Sequence, residues 1–140
     1  MSDLFLTFLV FICEWTSHEI PETGPHLRIV ETQLILCEEV GLGPTICELG
    51  DLQAYYDPDV NEVITYRDCL YKTNECGAIL LHESVHYVQD YNGLYEDDVF
   101  DRESLEEEAE EVEMEWRYSH DLPKWEASWR RELRENQNSK

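Results

Sequence analysis

Residues 78–93 restrict the fold of this chain more than any other stretch. Ala78-Ile79-Leu80-Leu81 is a compact apolar run, and Val85 and Val88 continue it at helical spacing. Thr73 or Asn74 stands where an N-cap belongs, Glu75 suits a first turn, and Gly93 after Asn92 is a C-terminal stop. The pattern predicts a largely buried helix over about residues 74–92. Its second half reads His82-Glu83-Ser84-Val85-His86, an H-E-x-x-H motif. Histidines four residues apart lie one turn from each other on the same helical face, so both imidazoles reach one metal ion. Glu83 follows the first histidine directly, placed to polarise a water on the metal rather than to bind the metal. Zinc is the metal this motif suits, and it lowers the pKa of its water to about 7.

A catalytic zinc site takes three protein ligands and keeps a position open for water. No cysteine follows the motif and His120 is the only later histidine, so a carboxylate is the natural third ligand. The acidic segment 104–116 offers several. Leu105, Ala109, Val112 and Trp116 form one apolar stripe at helical spacing, which faces the core. At about 100° per residue, Glu107, Glu110 and Glu111 point away from that stripe, whereas Glu106, Glu108, Glu113 and Glu115 flank it. Helical geometry leaves those four open.

These motifs resemble those of the gluzincin metallopeptidases, in which H-E-x-x-H is followed by a helix carrying a glutamate ligand. In several gluzincin families that glutamate opens an E-x-x-A pattern with an acidic residue after the alanine. Glu106-Glu107-Glu108-Ala109-Glu110 fits, and Glu106 lies at a thermolysin-like distance after His86. The resemblance implies Glu106 as third ligand, ahead of Glu108 and Glu113, and Glu110 as a second-shell group holding an imidazole N–H. The segment 51–66, with Tyr56-Asp57-Pro58 and Ile64, is similar to the hairpin that precedes the active helix in compact gluzincins. Gln89 completes H-E-x-x-H-x-x-Q, a form found in small peptidase-like families. The likeness is greatest to minigluzincins and related small peptidase-like proteins, over about residues 50–118. It implies a small zincin-like α+β domain with a zinc cofactor.

At 140 residues the chain is expected to form one domain with a single core. Its net charge of −22 disfavours nucleic-acid phosphates and anionic membranes and suits a basic peptide or protein substrate. The apolar segment from Leu4 to Ile12 lacks a basic flank and a small-residue cleavage site, and it is too short to span a bilayer. Phe5, Phe8, Leu9, Ile12 and Trp15 recur at helical spacing, which predicts a first core helix over about residues 3–16. Cys37 with Cys47, and Cys69 with Cys76, could close two short loops in an oxidising compartment, and free thiols suit a reducing one. Location stays open between cytoplasm and a secreted or periplasmic site.

The rest of the chain reads as follows. A short extended piece covers 27–30, a second helix runs from Glu31 to Val40 and ends at Gly41, and hairpin strands lie near 50–56 and 62–67, turning at Asp57-Pro58-Asp59. The glutamate helix is expected to start with Asp101 as N-cap. A C-terminal helix is expected after Pro123, in a segment, 121–140, that holds half of the ten basic residues and is a candidate regulatory cover for the cleft.

The expected activity is zinc-dependent peptide hydrolysis, with His82, His86 and Glu106 on the metal and Glu83 as general base. Tyr87, Tyr91, Tyr118 or His120 is expected to supply a second oxyanion donor. Two other classes compete. One is a degenerate gluzincin that binds zinc without hydrolysis, and the other is an acidic decoy that mimics DNA.

Overall fold

In the computed structural model, which describes residues 3–41, 52–71, 73–95, 102–120 and 122, the two periodicities of the sequence resolve into a mixed α+β arrangement. Among the described residues there are five helices and one three-stranded sheet. Helix α1 (Asp3–Trp15) buries Phe5, Phe8, Leu9 and Ile12, the arc its spacing marks out. Trp15 departs from expectation and is half exposed. It is the last residue of the helix and falls at the edge of that arc, where its ring meets only the flank of Phe11.

Strand β1 (His26–Val30) follows, and then α2 (Gln33–Val40), which starts when the Thr32 hydroxyl accepts the Ile35 N–H. Strands β2 (Ala54–Asp57) and β3 (Glu62–Tyr66) form the expected hairpin. The Asp57 carboxylate accepts the Asp59 N–H and tightens the turn between them. The sheet order is β1-β3-β2, with β3 parallel to β1 and antiparallel to β2. Being central, β3 is buried on both faces. Val63 joins the main core, while Ile64 packs with Val30 and Leu36 in a smaller cluster beneath α2.

A short helix the sequence did not announce, α3 (Arg67–Tyr71), turns the chain from β3 into α4 (Thr73–Tyr91). A Cys69–Cys76 disulfide ties the two helices together. Cys37 is disulfide-bonded as well, and its expected partner Cys47 lies outside the described residues. Cys13 is a free, exposed thiol. Helix α5 (Arg102–Ser119) buries Ala109, Val112 and Trp116 against α1 and α4, with Phe8 and Phe11 packed edge-on to the Trp116 ring. The helix cap expected at Asp101 and the C-terminal helix after Pro123 lie outside the described residues. Among the described residues no helix is long and apolar enough to cross a membrane.

The main core therefore lies between α1, the inner face of the hairpin, α4 and α5. Helices α4 and α5 are antiparallel neighbours: the start of α5 meets the end of α4, through Leu105 and Gln89, and Arg117 near its end meets Glu75. This pairing and the β2 edge enclose the motif.

Candidate metal centre

Burial is what distinguishes the motif from an ordinary polar helix face. Along α4, His82, Glu83, Ser84, His86 and Gln89 are all buried, and Glu113 and Arg117 join them from α5. Water-avoiding polar and charged groups cost free energy unless they are paired, so such a concentration is found where it serves a site. Each of the seven has a hydrogen-bond partner in the structure.

His82 and His86 lie one turn apart with ring centroids 5.0 Å from each other. Both rings offer Nε2 to the same carboxylate on α5. Glu106 places Oε1 2.6 Å from His86 Nε2 and Oε2 3.2 Å from His82 Nε2. One ligand atom from each of these three residues lies within 4.8 Å of the others, the only such His/Cys/Asp/Glu group among the described residues. Burial alone would push the Glu106 carboxyl up. The close contacts with the two histidines, and their charge when protonated, outweigh it and hold the group well below the usual carboxylate range.

The opposite ring nitrogens are backed by other side chains. His82 Nδ1 is 2.8 Å from Glu113 Oε1, and His86 Nδ1 is 2.8 Å from Gln89 Oε1. The carboxylate at His82 Nδ1 is thus Glu113, while Glu110 is half-buried on the same helix. The reason is helical geometry. Glu113 follows Glu106 by a heptad, nearly two full turns, so it shares the Glu106 face more closely than Glu110 does and reaches one turn further back along the antiparallel α4. Burial raises the Glu113 carboxyl, but His82 and the Arg117 guanidinium bring it below its ordinary range. Arg117 donates through Nε to Glu113 at 2.7 Å and through Nη1 to Glu75 at 2.9 Å, although its side chain is almost wholly buried. Glu108, the other alternative for third ligand, instead accepts from Gln89 and pairs with His18.

Glu83 projects from the same helix toward the sheet, and its Oε2 accepts the Tyr56 main-chain N–H from the edge strand β2 at 3.0 Å. Of the hydroxyl and imidazole groups expected as oxyanion donors, Tyr87 is spent on the Thr23 carbonyl, Tyr91 and Tyr118 are exposed, and His120 stacks on Trp116. Tyr95, although 38% exposed, brings its ring toward the site. Its ring lies 6.4 Å from that of His86 and 6.3 Å from that of Tyr56. Burial, followed by the charges of Glu83 and Glu106, keeps its hydroxyl protonated far above the usual tyrosine range. Gly93 brings it there. With φ 77° that glycine forms a Schellman turn, Gly93 N–H to Asp90 O and Leu94 N–H to Gln89 O, which folds the chain back over the last turn of α4.

His86 Nε2 provides the test of whether a metal fits. It is buried and has no hydrogen-bond partner of acceptable geometry among the described residues, even though a carboxylate oxygen is 2.6 Å away. A lone pair that faces carboxylate oxygens without a hydrogen-bonded proton between them is relieved by a cation. Two imidazoles and one carboxylate are the donor set of catalytic zinc sites. The residues fit the ion. No protein-family model, no curated protein and no solved structure matches this chain.

Proposed function

We propose that this chain is a zinc-dependent peptidase of the gluzincin type, with His82, His86 and Glu106 as metal ligands and Glu83 as general base. The observation that carries the reading is the convergence of buried His82 and His86 on half-buried Glu106, with both Nε2 atoms against one carboxylate. Zinc held there supplies Lewis acidity, which acidifies a coordinated water and polarises a scissile carbonyl. Glu83 takes the proton of the attacking water and passes it to the leaving amine. The Tyr56 N–H keeps the Glu83 carboxylate aimed between the helix and the strand edge. The Tyr95 hydroxyl, protonated at neutral pH, donates to the oxygen on which negative charge develops. Among the described residues strand β2 pairs with β3 alone, so its outer edge is the place for an extended peptide to add. The acidic surface favours a basic one.

The test is zinc content of the purified protein, measured by elemental analysis beside His82→Ala and Glu106→Ala variants, followed by digestion of a peptide library read by mass spectrometry. One zinc per chain, lost in both variants, together with cleavage by the wild type, is the expected result. Zinc without cleavage would make the chain a metal-binding relative that no longer hydrolyses. No zinc uptake would remove the reading and leave the acidic surface as the functional feature.

A further inference from the structure

Gln89 is fully buried one turn beyond His86, and its amide bridges the His86 ring and two residues flanking Glu106 on α5. Its oxygen is 2.8 Å from His86 Nδ1, and its nitrogen donates to the Leu105 carbonyl at 2.9 Å and to Glu108 Oε1 at 3.1 Å. These contacts fix the amide's orientation. A main-chain carbonyl only accepts, so the NH2 group faces Leu105 and the oxygen faces the ring. An acceptor at Nδ1 requires the ring proton to be there, and a neutral imidazole has only one such proton. Nε2 is then the bare nitrogen, and Nε2 is the atom next to Glu106. Leu105 is the peptide neighbour of Glu106. The amide that chooses the tautomer of one ligand therefore also holds the backbone beside another.

We propose that Gln89 is the positioning residue of this centre: it fixes the His86 tautomer and, through the Leu105 carbonyl, the approach of Glu106, and so sets the gap in which a metal ion is held. The inference rests on the metal-centre reading above. At His82 the corresponding ring nitrogen is backed by the Glu113 carboxylate, so one ring is held by an anion and the other by a neutral amide. Neutrality is required at position 89. A carboxylate there accepts from His86 but has no N–H for Leu105, and it faces the charge of Glu108. Glu108 is itself held at 2.6 Å by His18, from the segment between α1 and β1, so the clamp is anchored beyond the two ligand helices.

The experiment titrates metal-free wild type, Gln89→Met, Gln89→Glu and His82→Ala with cobalt(II), followed by visible absorption, and with zinc against a chelator. Melting of each metal-free protein is recorded alongside. Wild type is expected to bind one ion and His82→Ala none. Gln89→Met, which loses both anchors, is expected to bind about 100-fold more weakly, and Gln89→Glu, which keeps the ring contact, about tenfold more weakly. A Gln89→Met protein that melts lower yet binds cobalt as tightly as wild type would mark a merely structural amide and overturn the proposal. A wild type that binds neither metal would overturn the metal reading, and this inference with it. Should Gln89→Met not fold, nitrogen-15 spectra of the histidine rings in zinc-loaded wild type decide the matter. A proton on His86 Nδ1 is expected, and metal on Nδ1 with the proton on Nε2 overturns it.

Discussion

Glutamates on an acidic helix are ordinarily solvated groups, and on α5 Glu103, Glu107 and Glu111 are exposed in that way. Glu106 and Glu113 are set apart by the imidazoles of α4, which offset the cost of their burial. Glu83 differs again, because it accepts a strand N–H. On the peptidase reading proposed above, that contact separates binding from turnover. Glu83→Gln retains the N–H contact and the metal ligands but cannot take a proton. Metal content is expected to be unchanged while kcat on a cleaved peptide falls by about 10²- to 10⁴-fold, as quantitative peptide assays would show. A second prediction belongs to Tyr56, whose hydroxyl donates to Asp90 at 2.6 Å. Burial first, and then that hydrogen bond, raises its pKa well above the usual tyrosine range. The folded state therefore holds this proton more tightly than the unfolded chain, whose tyrosines ionise near about pH 10. The stabilisation is complete below that pH and is lost as pH rises toward the folded-state value. Urea unfolding between pH 8 and about 11 is expected to show stability falling at the alkaline end, less steeply in Tyr56→Phe.

The elements themselves were largely legible in the sequence, and the interactions between them less so. Helices α1, α4 and α5 and both hairpin strands lie close to where their apolar periodicity puts them, while α2, whose Leu34 and Ile35 are exposed, was marked by its stop at Gly41. Helix α3 escaped because five residues are too few to show a period. In the site, the motif marks His82, Glu83 and His86, and a family resemblance marks Glu106. Glu113, Arg117 and Tyr95 were not legible as a network. The contact of Glu113 with His82 depends on the antiparallel register of α5 on α4, and the position of Tyr95 depends on the turn at Gly93. Both are tertiary facts. A buried arginine four residues after a buried glutamate leaves no pattern distinguishable from a surface pair. At this scale the Cys69–Cys76 link makes its own prediction. It closes a short loop between α3 and α4, next to Glu75 and thus to the Arg117 contact. Replacing both cysteines by serine is expected to lower stability by about 2–3 kcal/mol in urea unfolding.

Taken whole, the molecule carries a net charge of −22 on 140 residues, and ion pairs among the described residues relieve it locally. Arg28 illustrates one, bridging Glu62 of β3 and Glu39 of α2 from β1. Self-repulsion opposes the compact state at low ionic strength and is screened over about 10 Å at 0.1 M salt. The melting temperature is therefore expected to rise between 10 mM and about 0.5 M sodium chloride, measured by circular dichroism in metal-free protein. The order in which the chain assembles also follows from its layout. His82 meets Glu106 across 24 positions, on two helices adjacent in sequence, whereas Arg28 of β1 reaches Glu62 of β3 only across 34, with the hairpin still to be made between them. Shorter loops close at lower entropic cost, and helical pairs form ahead of parallel strands. The ligand-bearing helical hairpin is thus placed to form before the sheet, and a cation captured by it would act as a folding nucleus, quickening assembly of the whole chain as well as stabilising its final state.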